Sequence, residues 1–198
     1  MARSNTPGRR RPGTARASAP RAAGSTATPG GAASLEDATR PRIWQELDLH
    51  PLADATQARP LFDFAAMPWP DPAGVAFAWG AASKEGALAA TVLAERAGRA
   101  VLLHGPLVRQ DGAVTVDPLP LASQLLAVAL DHAAALGADT AFARPQGLDR
   151  VWVRFGFIPV PETVLPAAFA GRPGAGLYGW RGGSALWSLR DAGGESAA

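Results

Sequence analysis

The chain contains no cysteine, so disulfides and thiolate metal sites are excluded. Its three histidines, His50, His104 and His132, lie far apart and show no metal-ligand spacing. No apolar run approaches the roughly 20 residues needed to cross a bilayer, so no membrane partner is expected. There is no Gly-rich dinucleotide fingerprint, no GxxxxGK[ST] phosphate loop and no internal repeat. Tyr178 is the single tyrosine. Negative charge is absent from residues 1–34, which hold Arg3, Arg9, Arg10, Arg11, Arg16 and Arg21, a net of +6. The remainder carries 13 Lys and Arg against 17 Asp and Glu, a net of −4. The basic balance therefore belongs to the N-terminal segment and says nothing about nucleic-acid binding by the rest.

Residues 1–34 are mostly Ala, Gly, Pro, Ser, Thr and Arg, with no aromatic residue. Such a segment cannot bury enough apolar surface to offset its ordering entropy. The expectation is a disordered basic tail over 1–40, capable of weak nonspecific contact with polyanions. A folded domain follows over 41–190, and 191–198 form a second disordered end. No apolar h-region follows the arginines, so a secretory signal is not expected and a cytoplasmic location is. At 198 residues the length fits one domain.

Ser34-Leu35-Glu36-Asp37 reads as the start of a short helix, and Arg42 to Leu49 as a first strand. Ala53 to Ala66 is weakly helical, with Pro60 as an interruption. Val75–Ala81, Ala87–Arg96 and Arg99–Val108 read as three antiparallel strands joined by the turns Ser83–Gly86 and Ala97-Gly98. Asp117-Pro118 is a helix start, Asp as N-cap and Pro in the first turn. Leu121, Leu125, Val128 and Leu136 hold helical spacing on an almost wholly apolar helix that Gly137 ends. Asp139–Arg144 is a short strand, Gln146–Phe155 a short helix and Ile158–Val160 another strand. Gly176–Leu189 reads as a strand pair around Arg181-Gly182-Gly183. This order makes an α+β fold, a mixed and mostly antiparallel sheet flanked by helices.

The stretch Gln146-Gly-Leu-Asp-Arg-Val-Trp-Val-Arg-Phe-Gly-Phe157, with the preceding element order, resembles the acyl-CoA N-acyltransferase (GNAT) pattern. The resemblance covers roughly Val75 to Leu165. Counted back from Gly156-Phe157, Trp152 takes the family's Tyr position and Gln146 its Asn position. The resemblance implies a GNAT-like sheet that splays at the third meander strand to admit an acyl-pantetheine arm. It also implies acetyl-CoA as acyl donor and a small-molecule or peptide amine as acceptor. The family's acyl-CoA lies along that strand and the next helix, here Leu107, Val108, Arg109, Ala122 and Ser123, with Gln146 bonding a pantetheine amide. Backbone amides at that helix's start hold the pyrophosphate, as free N–H groups at a helix dipole can. Pro118 and Pro120 lack two of those donors, and Asp117 puts a carboxylate where the anion would sit.

Acyl transfer to an amine needs a base for the ammonium and an acid for the leaving thiolate. Trp152 cannot be the acid, because an indole N–H is a donor without a usable acidity. Tyr178 is the candidate acid. His104, on the third meander strand before Gly105-Pro106, is the candidate base, and Gly-Pro there suggests a bulge. His132, on the buried helix, reads as structural. Two functional classes follow: an acetyl-CoA-dependent N-acetyltransferase, and a catalytically degenerate GNAT-like binding or assembly module. A third is a domain delivered to nucleic acid by its tail.

Overall fold

The computed structural model describes residues 34–110, 116–145, 147–172 and 186–190, all within the unit Ala32–Ala198. The expectations for residues 1–33 and 191–198, Tyr178, Gln146 and most of the Gly176–Leu189 strand pair lie outside the described residues. The segment assigned to the tail extends to residue 40, yet Leu35–Ala38 forms a helical turn, α1. Ser34 Oγ accepts from Asp37 N–H as its N-cap, and Ala38 is buried. The turn packs against the helix over Pro118–Ala135.

The single strand expected over 42–49 is a hairpin, β1 (Arg42–Trp44) and β2 (Leu47–Pro51). Its two-residue turn places Gln45 and Glu46 at φ 46° and 68°, the left-handed geometry that lets hairpin strands keep their twist. Pro60 does not interrupt a helix. It stands in the first turn of α2 (Arg59–Phe64), after a 3₁₀ turn over Ala55–Ala58, where its missing N–H costs nothing.

Strands β3 (Val75–Ala82), β4 (Leu88–Ala97) and β5 (Ala100–Val108) form the expected meander. Helix α3 (Pro118–Ala135) then returns the chain so that β6 (Thr140–Ala143) runs parallel to β5. A parallel neighbour requires such a crossover. Helix α4 (Asp149–Arg154) and β7 (Ile158–Val160) follow, and β8 (Leu186–Arg190) inserts between β6 and β7. The eight strands run in the order β1-β2-β3-β4-β5-β6-β8-β7, all antiparallel except β5 with β6. The architecture is the α+β class expected.

One sheet face packs on α3, which buries Leu121, Ala122, Leu125, Leu126, Val128 and Ala129 against Trp79, Val92, Val101 and Leu103. Burying each such leucine contributes roughly 1.5–3 kcal/mol. The opposite face carries Ala78 and Leu93 under Ala58 and Phe62 of the α2 region, and Leu102 and Phe142 under Phe169. His132 is structural, as expected. Its Nδ1 accepts from Trp79 Nε1 at 3.1 Å, and its ring stacks on Phe77 at 4.2 Å. Desolvation holds its pKa below the usual imidazole value.

Candidate active site: a slot where two strands part

Strand β6 accompanies β5 for four residues only. Ala100–Leu103 pair with Thr140–Ala143, and β5 continues alone on that side to Val108. The separation is written locally. After β6 come Arg144 and Pro145, then Gly147 at φ 116° and Leu148 at φ 59°, which turn the chain into α4. On β5, Gly105 sits at φ 97°. A Cβ there would lie 3.0 Å from Thr91 O and Leu107 N, so only glycine fits. The β4–β5 register shifts beside it, between Thr91 and Leu93, the irregularity that Gly105-Pro106 suggests.

The gap is a cleft of about 120 Å³ lined by Gly105, Pro106, Leu107, Arg144, Leu148 and Trp152, with Ala65 and Met67 after α2. Trp152 belongs to the core on the α3 face, whereas Met67 packs on the α2 side. The cleft thus touches both sides of the sheet. Just past β5, Arg109 N–H donates to Ala89 O of β4 at 2.8 Å. Strand alternation then turns the N–H of Val108 toward the side that β6 has left.

Arg144, which the sequence reading passed over, is nine-tenths buried. Its Nη1 and Nη2 both donate to the Glu162 carboxylate, the second at 2.8 Å. That fork holds the Glu162 carboxyl below its usual pKa. Arg144 Nε is buried with no acceptor among the described residues, a state that costs roughly 1–3 kcal/mol. The only advance signal was a basic residue at the end of a core strand.

His104 does not line the cleft. Its Nε2 lies 3.0 Å from Glu95 Oε1 on β4, and Arg172 Nε lies 2.8 Å from Glu95 Oε2, an ion pair without hydrogen-bond alignment. Glu95 and His104 are both buried, on the face opposite α3. The two are register neighbours there, since Leu93 opposes His104 and Glu95 opposes Leu102. With Nε2–H donating to the carboxylate, a neutral imidazole carries its lone pair on Nδ1.

The start of α3 is as the prolines require. Asp117 Oδ1 accepts from Leu119 N–H at 3.1 Å, while Pro118 and Pro120 have no N–H. No N–H of residues 118–120 is left for an anion. The other residues named for the cofactor are dispersed. Ala122 is wholly buried in the core, facing the sheet rather than a ligand because its helical position places it on the apolar stripe. Arg109 lines a separate pocket of about 350 Å³ with Pro60, Leu61, Phe64 and Leu88. Ser123, whose Oγ donates to Leu119 O at 2.9 Å, lines a groove of about 510 Å³ between α3 and α4. That groove also holds Arg150 and Arg154, one helical turn apart, with Trp44 and Phe155. Neither arginine is in an ion pair among the described residues. The same residues contain no group of three or more His, Asp or Glu side chains suited to a metal, and no helix long and apolar enough to cross a membrane.

No protein-family model and no curated protein sequence matches the chain. Solved structures similar to it include an acetyltransferase of the GNAT family from Staphylococcus aureus Mu50. That likeness has 13% identity and a TM-score of 0.43, covering 58% of this chain and 66% of that one. A GNAT-family N-acetyltransferase from Escherichia coli, solved with CoA, is 16% identical with a TM-score of 0.48, covering 75% of this chain and 83% of that one. The ribosomal-protein-S18-alanine N-acetyltransferase of Escherichia coli is 15% identical with a TM-score of 0.49, covering 76% and 99%. These acetyltransferases are what the chain is similar to, and the likeness is one of fold.

Proposed function

We propose that the domain is an acyl-CoA N-acyltransferase that moves an acetyl group from acetyl-CoA to an amine. The observation that carries this reading is the slot where β5 leaves β6. It meets both faces of the sheet and adjoins the β5 edge that β6 leaves, where strand alternation turns the Val108 N–H away from β4. An amide chain laid along that edge replaces the missing strand pairing, and a thioester at its tip meets an amine arriving from the other face. The amine nitrogen then bonds to the acyl carbon, the C–S bond breaks, and the proton lost by the amine ends on the thiolate. Leu107 and Val108 take the pantetheine arm, and Gln146 and Tyr178 keep their sequence-based roles as amide partner and acid. His104 keeps only its sequence-based role as candidate base: it adjoins the cleft-lining Gly105 but does not itself line the cleft, and its Nε2 is engaged by Glu95.

The phosphates are assigned differently from the resemblance. Asp117, Pro118 and Pro120 withhold the helix donors, and the groove between α3 and α4 offers Arg150 and Arg154 beside two aromatic rings. Guanidinium groups bind phosphate without help from a helix start. The capped, proline-rich turn also favours a second reading, a GNAT-like binding or assembly module without catalysis. Calorimetric titration with acetyl-CoA separates the two. Micromolar binding, followed by release of the CoA thiol when amines are supplied, is the expected result. No heat at millimolar acetyl-CoA overturns the enzyme reading.

A further inference from the structure

We propose that the amine acceptor is a small primary monoamine with an apolar body, and that this body sits in the pocket between α2, the start of β4 and the residue after β5. The pocket has a volume of about 350 Å³ and is walled by Pro60, Leu61, Phe64 and Leu88, with Gln57 and Arg109 beside them. That is the size of a small-ligand site. Leu61 is buried and Phe64 is 62% exposed, and with Pro60 they make a continuous apolar wall rather than an isolated exposed ring. Leu88 rests over Gly80, where a Cβ would lie 2.6 Å from Leu88 Cδ1. The inference rests on the acyltransferase reading and names the substrate class for it.

Position ties the pocket to the cleft. Leu107 lines the cleft and packs on the α2 side of the sheet. Arg109, whose N–H still pairs with Ala89, lines the pocket two residues on. Strand alternation sets these two side chains on one face, about 7 Å apart. The end of α2 is shared as well: Phe64 borders the pocket, while Ala65 and Met67 border the cleft. Met67 N–H returns to Phe62 O at 2.9 Å, with Ala66 at φ 50°, and this left-handed cap fixes the turn from one cavity to the other. An amine in the cleft can therefore extend its substituent into the pocket. The walls select that substituent. A second ammonium would lose its water against four apolar side chains, and no Asp or Glu lines the pocket among the described residues. Arg109 carries the same sign. An uncharged alkyl or aryl group instead gains about fourfold in affinity for each methylene buried.

The test uses the full chain, acetyl-CoA and three amines: ethylamine, n-hexylamine and 1,6-diaminohexane. Release of the CoA thiol gives kcat/KM for each amine. The Leu61 and Leu88 methyl groups are followed by proton–carbon NMR during titration with hexylamine. Expected are a kcat/KM for hexylamine at least about tenfold above both other amines and saturable shifts of both residues' methyls. Phe64→Ser, at an exposed position, should narrow the hexylamine-to-ethylamine ratio about three- to tenfold. If thiol is released equally with all three amines, or most with the diamine, the pocket assignment is overturned and the acyltransferase reading stands. The same holds if the methyls stay still while thiol is released. If hexylamine shifts the methyls saturably but no amine releases thiol, the pocket remains an apolar-amine site and the acyltransferase reading falls. Silence in both measurements at millimolar amine overturns both. The amine preference and the methyl shifts are read on wild type, so misfolding of the variant does not decide the result.

Discussion

Returning a donor to the start of α3 should tighten acetyl-CoA binding. In the present helix the N–H of Leu119 is held by Asp117 Oδ1 at 3.1 Å, and Pro118 and Pro120 supply none. Pro120→Ala creates one N–H at the third helical position, which no carbonyl within the helix can satisfy. A hydrogen bond to a charged partner is worth about 1.5–3 kcal/mol, so a phosphate within reach should bind about 10- to 150-fold more tightly. Asp117→Asn keeps the cap, since Asn caps as well as Asp, and removes a like charge. At a solvent-exposed helix start that change is worth about 0.3–1 kcal/mol, a further two- to fivefold. The variant pays in stability, because losing proline's restriction of the unfolded chain costs about 0.4–1 kcal/mol, a fall of about 1–4 °C in Tm. Calorimetry with acetyl-CoA, alongside a thermal melt, reads both quantities. The reasoning is refuted if Pro120→Ala lowers Tm as stated and leaves affinity unchanged. The phosphates would then lie out of reach of α3, and Arg150→Gln with Arg154→Gln should abolish what binding there is.

Two further predictions concern stability. Burial holds the His132 pKa below 6.5, so the unfolded chain takes up a proton at a pH where the folded chain does not. Stability is therefore fully present above about pH 6.5 and falls as pH drops toward the folded pKa, by up to about 1.4 kcal/mol per pH unit. Denaturant melts at pH 7.5 and 5.5 should show this loss, and His132→Gln, which still accepts from Trp79, should reduce it; an identical loss in the variant contradicts the assignment. Glu95→Ala leaves His104 and Arg172 without the carboxylate they share and should destabilise by about 3 kcal/mol, the low end for a broken buried pair because Arg172 is partly exposed. Glu95→Gln, which can still bond His104, should lose less, and a melt unchanged by the alanine substitution would show the cluster to be energetically idle.

Much of the scaffold was decided by local chemistry. Gly86 and Gly98, both at positive φ, close the meander turns, Asp117-Pro118 starts α3, and Gly137 ends it. The apolar stripe of α3 dictates burial. Each of these signals acts within a few residues, so spacing alone reveals them. The capped, donor-poor start of α3 was equally legible, because proline lacks an N–H wherever it stands. Other features depended on partners distant in sequence. Residues 42–49 became a hairpin because β2 pairs with β3, thirty residues on, and β8 entered between β6 and β7, an order that no local pattern encodes. His104 carries a site-like sequence context, yet its partner was set by register, which laid Glu95 beside it on β4 rather than turning it to the cleft. Arg144 looked like an ordinary strand-end cation. Only the return of Glu162 over it neutralised its charge and left one buried N–H without an acceptor among the described residues, because electrostatic pairing and desolvation are fixed by where the chain brings groups together.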